Sequence, residues 1–204
     1  MLVSAEEQAT KTGKEKFGLP DNTQVSWFCS NNSTLMNFPA RFRKLLHSNQ
    51  PPPTILIMHL GTIDMGMFNA EKNVVNIHNA LDAVKKLVPE CTILWSEILP
   101  RLCKLQGVTI ETMGKKRKHM NFCTISAVHQ LHKAYVLRHD NFDYLPLYQR
   151  NNSLRLTPMG HDKLLREFRD GLKMAAKPGG HEKCYPSCEG HGSLGRLIVC
   201  IKVT

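Results

Sequence analysis

Three groups of residues have the types and spacing to do chemistry. Toward the end, His181, Cys184, Cys188 and His191 place four metal-capable side chains within eleven positions. Zinc sites pair C-x(2–4)-C with H-x(3–5)-H or with a second cysteine pair. This order, with Pro186 inside it, matches neither, so the expectation is free thiols, no metal and no other cofactor. Lys115-Lys116-Arg117-Lys118 is a four-residue basic run that suits the phosphates of nucleic acid; the alternative is a solvated helix face. Ten histidines offer imidazoles near neutral pH. His59 ends an apolar run, His78 falls on a polar helix position and His161 lies in the first turn of a late helix; each reads as structural or surface. Asp64 has the type of a site carboxylate, but at a turn after a strand a carboxylate more often caps local backbone.

Charge and cysteine usage narrow the setting. Residues 1–100 hold 9 basic and 9 acidic side chains, whereas 101–204 hold 18 and 8, so the net +10 lies wholly in the second half. That asymmetry allows weak binding of polyanions through the second half. Seven cysteines form no obvious disulfide framework. With no signal-like start and no apolar run near the roughly 20 residues that span a bilayer, the expectation is reduced thiols in a cytoplasmic or nuclear protein, with no membrane partner.

The elements that must position these residues alternate. Ser4-Ala5-Glu6-Glu7 has the form of a capping box and opens a helix to about Lys16. Residues 25–28 read as a short strand and 38–47 as a basic helix. After Pro51-Pro52-Pro53, residues 54–60 form an apolar run suited to a strand buried on both faces. Val74, Ile77, Leu81, Val84 and Val88 recur at helical spacing across 69–88. Residues 91–99 are a second buried strand, 110–138 a long helix, and 142–147 a short last strand. Thr157 and Pro158 supply an N-cap and a first helical residue for a helix buried through Leu164, Leu165, Phe168 and Leu172. The pattern predicts an α/β fold, a three-layer α/β/α sandwich with a parallel sheet, in a domain over 1–175. Residues 176–204 read as a linker and flexible tail. Within that tail, 197–203 has strand character, and pairing with the sheet and mobility are both open.

Four pieces in this order resemble one family: Ser26-Trp27-Phe28; Ile57-Met58-His59-Leu60-Gly61 with Asp64; Leu94-Trp95-Ser96-Glu97-Ile98-Leu99-Pro100-Arg101; and Leu156-Thr157-Pro158-Met159-Gly160. They are similar to an SGNH-type (GDSL-like) hydrolase domain, nearest a vertebrate lineage associated with retroelements. The resemblance implies a flavodoxin-like parallel sheet with a central first strand, and acyl transfer by a serine nucleophile, a histidine base, an orienting aspartate and oxyanion donors.

Carried over position by position, the resemblance implies that this catalytic set has decayed. Its first strand and nucleophile turn fall before Leu2, with Met1 at the nucleophile, and Ser4 lies inside a helix. Asn32 stands in the loop after residues 25–28, where a glycine donor belongs. Gly61 and Asp64 remain from the next loop, but Ile63 replaces its asparagine donor. Asn152 replaces the aspartate and Arg155 the histidine. A guanidinium never gives up its proton near neutral pH, so Arg155 cannot be a base. The expectation is a sheet with a gap where the first strand would lie, on a domain that has lost esterase activity. Two alternatives are a residual esterase with a replaced residue set and a basic, nucleic-acid-associated, retroelement-derived protein.

Overall fold

The computed structural model describes residues 5–13, 16–19, 23–29, 33–46, 51–102, 108–149, 152–176 and 196–201. In chain order the elements are α1 (Ala5–Lys11), β1 (Gln24–Cys29), α2 (Phe38–Leu46), β2 (Ile55–His59), α3 (Asp64–Met67), α4 (Ala70–Leu87), β3 (Thr92–Ser96), α5 (Ile110–His129), β4 (Ala134–Leu137), β5 (Tyr148–Gln149), β6 (Asn152–Leu156), α6 (Pro158–Ala175) and β7 (Arg196–Ile201). The protein is mixed α/β, with a five-stranded sheet in the order β1-β7-β2-β3-β4. Every pairing in that sheet is parallel.

Alternation along β2 sends its residues to two cores. Leu56 and Met58 join Ile93, Trp95, Phe38 and Phe42, Ile77 and Leu81 of α4, and Met113, Met120 and Val128 of α5. Ile55 and Ile57 join Leu94, Ala9 of α1, and Leu164, Leu165, Phe168 and Leu172 of α6. Helices therefore cover both faces, which is why β2 and β3 are apolar almost throughout. Two helix starts are set by their caps. Asn69 accepts from the Lys72 N–H, and Thr157 from the Gly160 N–H ahead of Pro158.

The expected gap in the sheet is filled. β7 lies between β1 and β2, pairing Val25 with Leu197 on one side and Ile55 with Leu197 on the other. Residues 196–201 thus take the pairing that the strand character of 197–203 left open. The physical reason is that two facing strand edges offer unpaired backbone groups, and an apolar β-rich segment satisfies both at once. The last strand in the chain thus lies inside the sheet, between the first two.

Three boundaries also differ from expectation. The first helix stops at Lys11 because Gly13, at φ 64°, turns the chain out of the helix. The long helix ends at His129 rather than near 138, and Lys133 (φ 50°) turns the chain into β4. The last strand of the expected kind is consequently β4, and 142–147 holds a short 3-10 turn at Leu145–Leu147 instead. Between that turn and α6 lies the antiparallel pair β5–β6.

Candidate functional site

In a parallel sheet of this kind ligands meet the protein beyond the carboxyl ends of the strands. At the end of β2, Gly61 takes φ 100°, a left-handed conformation that favours glycine, and a Cβ there would lie 2.8 Å from Ile98 Cδ1. Ile63 then precedes α3, and Asp64 is its fully buried first residue. One Asp64 carboxylate oxygen accepts the Leu35 N–H at 3.0 Å, tying the loop after β1 to the loop after β2. The backbone that Asp64 holds is thus 29 residues away rather than local to its own turn.

Basic side chains fasten the same edge through carbonyl oxygens. Arg101 Nη2 donates to Thr62 O at 3.1 Å, Lys116 Nζ to Met65 O at 3.3 Å and Arg117 Nη1 to Ile98 O at 3.4 Å. Asn121 grips Ile98 from both sides, accepting its N–H at 3.0 Å and donating to its carbonyl at 3.3 Å. The basic run is therefore split. Lys116 and Arg117 reach back to the loops, whereas Lys115 is exposed and ion-paired to Glu111, and Lys118 is exposed. Successive helical residues lie about 100° apart, so four in a row cannot share one face.

Of the other positions carried over from the resemblance, Asn152 and Arg155 lie in β6. Arg155 lies half-buried in β6, with its Nε buried and without a hydrogen-bond partner in the described structure. Asn152 begins β6, its backbone opposite Gln149. Met1, Ser4 and Asn32 lie outside the described residues, as do His181, Cys184, Cys188 and His191. Among the described residues no three His, Cys, Asp or Glu side chains are grouped to hold a metal ion. No helix among them is long and apolar enough to cross a membrane. His78 is exposed on α4. His161 is buried, and burial pushes its pKa below the ordinary imidazole range, opposed by a backbone hydrogen bond to Thr157 and by the carboxylates of Asp162 and Glu7.

A serine–histidine–carboxylate chain emerges elsewhere. Ser96 Oγ, at the end of β3, is 2.6 Å from His139 Nε2. His139 Nδ1 is 2.5 Å from Glu167 Oε2 on α6, and Lys163 Nζ is 2.5 Å from Glu167 Oε1. On its other side Ser96 Oγ meets His59 Nδ1 at 2.6 Å. Phe142 and Phe168 wall the His139 ring at 5.6 and 6.1 Å. The order of side chains resembles a catalytic triad, but Ser96 has no exposed surface and the His139 side chain is 2% exposed. A nucleophile must reach its substrate, and this hydroxyl is enclosed between two imidazoles. What the arrangement does is link β2, β3, the segment after β4 and α6 by a continuous run of polar contacts through the core.

Sequence reading missed this chain because its members lie 37, 43 and 28 positions apart. The one local signal was Lys163 and Glu167, four apart on α6. No protein-family model matches the sequence, and no curated protein matches it significantly.

Proposed function

We propose that this chain is an SGNH-hydrolase-like domain that has lost esterase turnover. The observation that carries the reading is the state of the serine–histidine–carboxylate set: its hydroxyl is fully buried and held by His59 as well as His139. The replaced positions support it. Arg155 cannot accept a proton, and Ile63 offers no side-chain donor to an oxyanion. The four motifs from residue 26 to residue 160, together with a parallel sheet covered by helices on both faces, support the family.

The distances within the Ser96–His139–Glu167 set favour one second reading, a residual esterase that opens to expose Ser96. Hydrolysis of p-nitrophenyl acetate by the purified chain separates the two. The proposal expects no turnover above a Ser96→Ala variant and no labelling by an organophosphonate. Turnover that Ser96→Ala abolishes would establish the residual esterase instead.

A further inference from the structure

The exposed face of α5 has a chemistry that its position in sequence conceals. Lys115, Lys118, His119 and Phe122 are related by spacings of three and four, so their side chains are mutual neighbours on one helical face. Lys118 and His119 are exposed, and the Lys115 side chain is 77% exposed. Phe122 is 68% exposed, the most exposed of the large apolar side chains in the described structure. Over the whole of α5 one acidic residue, Glu111, stands against four basic ones. The opposite face is committed to the core through Met113, Met120, Thr124, Ala127 and Val128.

We infer that this face binds single-stranded nucleic acid, with the lysines on phosphates and Phe122 as a stacking platform for an unpaired base. The surplus of positive charge in the second half supplies the sequence-independent attraction to a phosphate backbone. The exposed ring selects the single strand, because only unpaired bases offer a free face for stacking on an aromatic side chain. A lipid surface is the poorer fit: a membrane-lying helix needs a broad apolar face, and that of α5 is already buried in the domain. The inference does not depend on the hydrolase-like reading, since none of these four residues occupies a carried-over site position.

The splitting of the basic run makes the test selective. Lys116 and Arg117 hold the loops after β2 and β3, so they are the wrong residues to remove. The experiment is fluorescence anisotropy of a labelled oligodeoxythymidine of about 20 nucleotides with the full chain, between about 50 and 200 mM salt. The single strand should bind more tightly than a duplex of equal length. Phe122→Ala should weaken it about tenfold, and Phe122→Trp should retain it. The Lys115→Ala, Lys118→Ala double variant should reduce the salt slope by about 1.4. Circular dichroism of each variant shows whether the fold is kept, as expected for exposed positions. No binding at about 50 mM salt would overturn the inference. So would equal binding of duplex or heparin with no effect of Phe122→Ala, or binding to anionic vesicles that the oligonucleotide fails to displace.

Discussion

Ser96 Oγ sits midway between His59 Nδ1 and His139 Nε2, 2.6 Å from each. A hydroxyl has one proton to give, so at most one of the two imidazoles can accept from it. Lys163 Nζ donates to one oxygen of Glu167, and with Glu167 as a carboxylate its other oxygen accepts from His139 Nδ1–H. In the neutral tautomer that this arrangement selects, His139 Nε2 accepts the serine proton and His59 Nδ1–H donates to the serine oxygen. Every donor along the chain points toward Glu167.

Ser96→Ala breaks that order at its centre and leaves a donor and an acceptor buried without each other. The expected cost is about 1–3 kcal/mol of unfolding free energy. Urea denaturation of the variant measures it. A midpoint unchanged from the parent would mean that the chain contributes nothing to holding β2, β3 and α6 together.

Acid should find His161. Its pKa in the folded protein lies below the ordinary value of about 6.5, so between the two values the unfolded chain binds the extra proton. The contribution is fully present above about pH 6.5 and is lost as pH falls below it. Thermal melts from about pH 5 to 7.5 should show stability rising with pH, and His161→Gln should flatten that slope. Parallel profiles for parent and variant would contradict the assignment.

Gly171 of α6 packs directly against Leu137 of β4. A Cβ there would lie 2.2 Å from Leu137 Cδ2, so Gly171→Ala forces the helix or the leucine to move. Overpacking of this kind costs about 1–3 kcal/mol. Pairing it with Leu137→Ala, which vacates the space, should recover part of the loss relative to the sum of the single changes. Additive losses in a denaturation series would show that the two do not press on each other.

The sheet also predicts what happens when 177–204 are removed. β1 and β2 each pair with β7 and not with one another, so the shortened chain exposes two strand edges. It should lose its cooperative melt and aggregate, as read by light scattering on heating. A shortened chain that melts cooperatively at the same temperature would mean that β7 adds no stability.

Much of this architecture could be read from local pattern. β2 and β3 announced themselves as apolar runs, and Asn69, Thr157 and Pro158 marked helix starts within a residue. What failed were features whose cause is distant or carries no residue signature. Ile125, Val128 and Leu131 continue a helical rhythm past the true end of α5, and the turn that follows is made by Lys133 in a left-handed conformation without a glycine to signal it. The strand character of 197–203 was legible, but its place depends on edges formed by residues about 140 and 170 positions earlier. The site suffered most, because the positions carried over from the resemblance do not include Ser96, His139 or Glu167, which meet only through the packing of β3 and α6.

The placement of β7 has a consequence for how fast the domain assembles. Gln24 meets Arg196 across 172 intervening bonds of chain, and Ile55 meets Leu197 across 142. Pairings this remote must be closed before they repay their entropy, so β1–β7 and β7–β2 form late even though β2–β3 and β3–β4 are local. A circular permutant carrying residues 177–204 ahead of residue 1 would bring Gln24 within some tens of residues of Arg196. It would keep the same sheet while turning its slowest closure into a neighbouring strand–helix–strand step.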